Sequence, residues 1–91
     1  MDLKARVKRT LEGLDLADPH VTILEESGAG VMAQVVSNSF EGMEDWQRQR
    51  MVWSRLLDDL GDDESRWVEF VFTETPDEVA AANATEHETR P

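Results

Sequence analysis

The sequence FEGMEDWQRQRMVWSRLL, residues 40–57, contains a turn followed by the start of a helix. Gly42 can adopt a positive φ at no steric cost, so it favours a chain reversal at this point. Glu44 and Asp45 place negative charge where the dipole of a helix attracts it, at the N-terminus. The stretch therefore predicts a helix that begins between Met43 and Asp45.

The apolar side chains of this helix recur every three or four residues, which places them on one face of an amphipathic helix. The predicted face comprises Trp46, Gln49, Trp53, Leu56 or Leu57, and Leu60, and Gly61 ends the helix. We expect Trp46 and Trp53 to pack in the core. Gln49 is the polar member of the face. It is either a buried amide bonded to backbone or a residue at the rim that faces a partner.

The rest of the chain predicts an α+β fold with the element order αββαβα. The predicted ranges are a helix at 3–14, strands at 20–25 and 31–37, the long helix at 44–60, a strand at 67–73, and a short helix that begins at Pro76 with Thr75 as its cap. Gly28 and Gly30 predict a tight hairpin between the first two strands. Residues 1–82 would form one domain, and residues 83–91 lack apolar periodicity and predict a disordered tail.

The three strands predict one sheet with the helices packed on one face. In the last strand we expect Val68, Phe70 and Phe72 to face the helices. The opposite face would then carry Met32, Val36, Trp67 and Val71 beside Glu69. Such an apolar patch indicates a partner or a dimer interface, unless loops or the tail cover it.

Composition limits the functions that this chain can perform. The 91 residues suit one small domain, and the 20 acidic residues outnumber the 9 basic ones to give a net charge of −11. The overall field therefore repels nucleic acid, although the first helix and residues 48–55 are locally basic. An acidic, lysine-poor surface is typical of a protein kept soluble in high salt, or of an acidic protein from a GC-rich genome. No signal peptide or membrane span is visible, so we expect a cytoplasmic protein.

The inventory of reactive side chains argues against an enzyme. The chain has no cysteine, which excludes disulfides and thiolate chemistry, and its only histidines are His20 and His87. Acidic residues cluster at 58–64, but they lack the alternating spacing and internal glycine of a calcium loop. No glycine-rich phosphate loop is present. We therefore expect no catalytic residue, no metal and no cofactor.

Three motifs occur in order along the chain: SNSFEG at 37–42, QRQRMV at 47–52 and TPDE at 75–78. Together with their places on the predicted elements, they resemble the BolA family over roughly residues 3–82. The resemblance implies an αββαβα fold related to the type II K-homology domain. It also implies a monothiol glutaredoxin as partner, an iron–sulfur cluster shared with that partner, and, in some bacteria, a role in transcriptional regulation.

This chain departs from the family at the positions that matter for the cluster. The resemblance implies a histidine ligand at the start of the last strand, where this sequence has Trp67 or, in the neighbouring register, Arg66. A second ligand would come from the loop between the first two strands, which here shrinks to residues 27–30 and offers no cysteine or histidine. Gln49 replaces a histidine of the helix motif. Iron needs thiolate or imidazole donors, so we expect no cluster.

Three functional hypotheses remain. The first is a non-catalytic adaptor or regulator that binds a protein, for which the resemblance implies a monothiol glutaredoxin, through Arg48, Gln49, Arg50, Arg66 and Trp67. The second is a nucleic-acid-binding transcriptional regulator that uses Arg48, Arg50, Arg55, Lys4 and Lys8. The third is a small domain that self-associates as a weak dimer through its sheet.

Overall fold

The part of the chain that the structure describes folds into three α-helices and a three-stranded sheet in the predicted αββαβα order. A computed structural model describes residues 2–27 and 30–88, with the side chains of residues 25–27 and 84–88 left aside. The elements are α1 (Leu3–Glu12), β1 (His20–Ser27), β2 (Gly30–Val36), α2 (Asp45–Ser65), β3 (Val68–Glu74) and α3 (Pro76–Glu88), with a short 3-10 helix at Asn38–Phe40 that the sequence did not predict. No described helix is both long and apolar enough to cross a membrane.

The sheet has the order β1-β2-β3 and is mixed. β1 and β2 form the predicted antiparallel hairpin, of which Gly28 and Ala29 lie outside the described residues, and β3 runs parallel to β2. Helix α2 provides the long crossover that a parallel pair needs. β2 is therefore the central strand, and β1 and β3 are the two edges.

The prediction for the faces of β3 was wrong for three residues. Val71 is buried among the core residues, whereas Phe70 and Phe72 are 44% and 38% exposed. The cause is an irregularity in the β2–β3 ladder, where Val68 pairs with one residue of β2, Phe70 pairs with the next, and Glu69 has no partner. An extra residue of this kind reverses the alternation of all later side chains.

The core lies between α1, α2 and the inner face of the sheet. Its buried apolar residues are Val7, Leu11, Leu14, Val31, Ala33, Val35, Phe40, Val52, Leu56, Leu60, Val68 and Val71. The prediction of Leu56 and Leu60 is confirmed, whereas Trp46 is 62% exposed and Trp53 only packs at the border of the core. The buried face of α2 repeats every four residues from Arg48, so it lies about one residue away from the predicted face.

The three predicted boundary signals are confirmed. Gly42 has φ +81°, and Gly61 has φ +80° at a break that separates the main part of α2 from one final turn. At α3 the hydroxyl of Thr75 accepts from the N–H of Glu78, and the N–H of Thr75 donates to the carboxylate of Glu78, at 3.1 and 2.9 Å. This reciprocal pair is a capping box.

Helix α3 runs to Glu88, past Asn83, where the sequence predicted the start of a tail. Alanine has the highest helix propensity of all residues, and the alanines at 80–82 and 84 favour a helix here even though it has no apolar face. Residues 89–91 lie outside the described residues. The disorder of residues 83–91 in solution stays a prediction.

Candidate functional site

Arg48 lies near the start of α2, and its guanidinium binds several acceptors inside the fold. Only 8% of the residue is exposed. Its Nε donates to the carbonyl of Met43 at 3.1 Å, and its Nη1 donates to the carbonyl of Thr73 at 3.0 Å. The terminal nitrogens also donate to both carboxylate oxygens of Glu78, at 2.8 and 3.2 Å. Because the fold uses these donors, we leave Arg48 out of the surface proposed below.

The electrostatics of this group follow from the same contacts. The hydrogen bond with Glu78 raises the pKa of Arg48 above its ordinary value, and burial opposes the shift. The same bond lowers the pKa of Glu78, helped by the N–H of Thr75. The guanidinium also stacks 5.6 Å from the ring centroid of Phe40, where a cation is attracted by the ring face. Arg48 therefore stays charged and fixed.

Gln49 is half-buried and bonded to backbone, which is the first of the two alternatives that the sequence left open. Its Nε2 donates to the carbonyl of Val71 at 2.9 Å and to the hydroxyl of Thr73 at 3.3 Å. Its Oε1 accepts from Nε1 of Trp53 at 3.1 Å. The amide thus fixes the side chain of Trp53 against the last strand.

Arg48 and Gln49 together cover the outer edge of β3. Carbonyl groups of alternate residues on a strand point to the same side. The carbonyl of Glu74 accepts a bond from the β2 side of the sheet. The carbonyls of Val71 and Thr73 therefore point away from β2, and these are the two groups that the side chains of α2 bind.

Beside this covered edge, α2 presents an exposed row of side chains that we call the α2 stripe. It consists of Trp46, Arg50, Trp53 and Leu57, at spacings of four, three and four residues, which fall on one side of a helix. Trp46 is 62% and Leu57 is 47% exposed, Arg50 is exposed, and Trp53 is half-buried. The stripe is an aromatic and apolar surface with a cationic centre.

Arg66 and Trp67 lie in the turn between α2 and β3, and both are exposed. Trp67 is 51% exposed, and its carbonyl accepts from the N–H of Val31 at 2.8 Å. A Cβ atom on Gly30 would lie 2.5 Å from that carbonyl oxygen, so the backbone of the hairpin directly abuts the start of β3. The two positions that the resemblance assigns to cluster ligands are therefore neighbours in space.

The residues at these neighbouring positions do not fit an iron–sulfur cluster. The start of β3 offers Arg66 and Trp67, and residues 27–30 offer serine, glycine and alanine, none of which supplies the thiolate or imidazole that iron needs. Among the side chains that the structure describes, no three of the histidine, cysteine, aspartate or glutamate type converge as a metal site.

The basic residues of the nucleic-acid hypothesis are not brought to one surface. Arg48 is buried, and Arg55 pairs with Asp59 along α2 at 3.4 Å. Lys4 and Lys8 lie on the side of α1 that faces β1, away from Arg50 on α2. The structure therefore offers no continuous basic face built from this set.

The fold was compared with known proteins. A homologue of BolA from Coxiella burnetii has 26% sequence identity and a TM-score of 0.58, and the match covers 87% of this chain and 92% of that one. The fold is that of the BolA family. A bol-like protein from Babesia bovis matches at 26% identity and a TM-score of 0.56 over 91% and 95% of the two chains. No protein-family model and no curated protein matches the sequence.

Two more distant structures share the BolA fold. BolA1 from Arabidopsis thaliana has 20% identity and a TM-score of 0.57 over 86% of this chain and 96% of that one. The BolA domain of SufE1 from the same plant has 22% identity and a TM-score of 0.58 with the same coverage. The fold of this chain thus occurs as a domain within another protein.

Sequence reasoning missed the roles of Glu78 and of the exposed tryptophan of α2. Glu78 lies far along the chain from Arg48, and the only local signal for it was the capping motif at 75–78. Trp46 was assigned to the core because its spacing from Trp53 fits a helix face. Arg48, Val52 and Leu56 recur every four residues, and this spacing identifies the buried face of α2 once an arginine is accepted as a residue that faces the core.

Proposed function

We propose that this BolA-like protein is a non-catalytic adaptor that binds a protein partner through the α2 stripe and Trp67, without ligating an iron–sulfur cluster. The observation that carries the proposal is the row of exposed aromatic and apolar side chains beside an edge of the sheet that the fold itself has covered. Tryptophan and arginine dominate the energetics of protein interfaces, and both occur here at exposed positions.

The alignment of α2 against β3 supports the inclusion of Trp67 in the same surface as the stripe. Gln49 contacts Val71, which fixes the alignment of α2 against β3. Leu57 lies eight residues further along α2, about 12 Å away, and Trp67 lies four residues back along β3, about 13 Å away. Because a tight turn joins the two elements, they run in opposite directions, and Leu57 and Trp67 come to the same level.

The resemblance makes a monothiol glutaredoxin the first partner to test. An interface of this kind would differ from one bridged by a cluster, because the tryptophan occupies the position of the ligand and contributes apolar contact area instead. We therefore expect binding that needs no iron. The occurrence of a BolA domain within SufE1 of Arabidopsis thaliana supports a role as an adaptor, since the fold there is attached to another protein.

The test is isothermal titration calorimetry with a monothiol glutaredoxin, first in the apo form and then after cluster assembly. We expect the apo form to bind, and the double variant Trp67→Ala, Arg50→Glu to bind at least about tenfold more weakly. The matched control is Phe70→Ala, Arg9→Glu, which removes one exposed aromatic ring and reverses one exposed arginine elsewhere. This control should bind as the wild type does.

Two results would overturn the proposal. Equal affinity of the two double variants would show that the α2 stripe and Trp67 are not the contact surface. Binding that requires assembled cluster, with a change in the visible absorption of the cluster on addition of this protein, would show that the chain ligates iron after all.

A further inference from the structure

The two edges of the sheet differ. At the outer edge of β3, Arg48 and Gln49 bind the carbonyl groups of Thr73 and Val71, which hinders the addition of another strand there. No comparable cover exists for β1: within the described residues, no group outside the β1–β2 pair forms a hydrogen bond with the backbone of residues 20–23. An edge strand with free N–H and C=O groups is a template for another strand.

The free edge of β1 lies beside a groove. The groove is lined by Asp2, Lys4, Ala5 and Lys8 of the α1 segment and by residues 21–24 of β1. Val21 and Ile23 are half-buried and pack against the core, so they form an apolar floor. The groove therefore combines free backbone groups, apolar surface and cationic side chains, which are the features of a site for an added strand.

The charge in the groove is opposite to that of the protein. Lys4 and Lys8 are the only lysines in a chain whose net charge is −11, and both line this groove. Both are exposed, and neither takes part in a salt bridge among the described residues. Asp2 also lines the groove, where its carboxylate accepts from the N–H of Lys4 at 3.1 Å, and its single negative charge leaves the lining net positive beside the two lysines. The groove thus favours an acidic ligand.

The spacing of the lysines defines the ligand further. Four residues along a helix span about 6 Å. Two residues along a strand span about 6.6 Å, and side chains two apart point to the same face. An extended peptide with acidic residues at positions i and i+2 would therefore place one carboxylate near Lys4 and the next near Lys8.

We propose that the groove between α1 and β1 binds an extended acidic segment of a partner protein, of the pattern Glu-x-Glu, which adds to the sheet as a fourth strand along residues 20–23. The added strand ends there, because the β1–β2 ladder shifts register between Ile23 and Glu25. Such an irregularity bends an edge strand and terminates pairing. This site lies on the opposite edge of the sheet from the α2 stripe, so one chain can hold two partners.

Fluorescence anisotropy of labelled peptides tests the proposal. The probe is the peptide GTEVEVTG, and the control is GTEEVVTG, which has the same composition and charge but places the two acids on opposite faces of a strand. We expect the probe to bind about two- to fivefold more tightly than the control, because only the probe can contact both lysines and one exposed ion pair adds only a small factor to the affinity. Equal binding of the two peptides would overturn the proposal, as would the absence of binding up to millimolar peptide.

Charge-reversal variants distinguish binding at this groove from attraction by the overall electrostatic field of the protein. Lys4→Glu, Lys8→Glu should weaken the probe at least about tenfold through lost attraction and new repulsion. Arg9→Glu, Arg50→Glu changes the net charge equally at residues outside the groove, and at physiological salt it should weaken the probe less than about threefold. Circular dichroism will show that each variant is folded. Equal losses in the two variants would contradict a local site.

N-methylated probes test whether the peptide binds as a strand. Alternate amides of an added strand point toward β1, and the others point to solvent. Methylation of one alternate set should abolish binding, and methylation of the other should leave it within about threefold. If both methylated probes bind, or neither binds, the peptide is not paired with β1.

Discussion

Replacement of Arg48 by methionine tests whether this arginine organises the fold. Methionine keeps the apolar stem of the side chain, but it removes the donors to the carbonyls of Met43 and Thr73 and to the carboxylate of Glu78. Hydrogen bonds from a charged donor contribute about 1.5–3 kcal/mol each. The side chain of Glu78 is 48% exposed and regains water, so the carboxylate adds little to the loss. We expect the free energy of unfolding to fall by about 3 kcal/mol.

Urea unfolding followed by tryptophan fluorescence will measure this loss. For a domain of this size the melting temperature should fall by about 12–24 °C. Arg50→Met is the matched control, since it makes the same chemical change at an exposed position two residues away, and it should cost less than about 0.5 kcal/mol. Losses of similar size in both variants, or a loss below about 1 kcal/mol for Arg48→Met, would refute the reasoning.

Three other predictions follow from the described contacts. Glu78→Gln should be less stable than the wild type at neutral pH, and the difference in their free energies of unfolding should shrink as the pH falls below about 5. The reason is that the pKa of Glu78 is lowered in the folded state, so the stability that its carboxylate adds above the unfolded-state pKa is lost as the pH drops through the folded-state pKa. Urea titrations of both proteins across this pH range will measure the difference. Gly61→Ala should cost about 1–3 kcal/mol, because φ 80° together with ψ 177° is a conformation essentially restricted to glycine, and Gly61→Asn should cost about as much, as differential scanning calorimetry can measure. Leu56→Ala should cost about 2–5 kcal/mol, whereas Trp46→Ala should change the free energy of unfolding by no more than about 0.5 kcal/mol; equal costs would contradict the assigned face of α2.

The sequence predicted the elements well because their boundaries depend on local chemistry. Gly42 and Gly61 adopt positive φ, and Thr75 caps α3, for reasons that involve only their immediate neighbours. The faces were harder to predict. Helix α2 carries apolar residues on more than one side. If the buried face is shifted by one residue, Val52 is buried in place of Trp53, and the periodicity of the pattern stays the same.

The reversal of the last strand could not be predicted from its own sequence. Alternation of Val68, Phe70 and Phe72 is a regular pattern, and the irregularity at Glu69 arises from pairing with β2, which is a tertiary effect. The same limit applies to the candidate site. The burial of Arg48 depends on carbonyls of β3 and on Glu78, so the sequence pattern alone assigned it to a partner. Trp67 is exposed, and its assignment to a partner surface stays a prediction.

The capping box of α3 has a consequence for the dynamics of the chain. Helix α3 packs little against the other elements and has no apolar face, and the ion pair between Glu78 and Arg48 joins its first turn to α2. Local unfolding begins where few buried contacts must be broken. We therefore expect the amides of α3 to exchange with solvent deuterium far faster than those near Val52 and Leu56, and the helix to detach from the domain while the sheet stays intact.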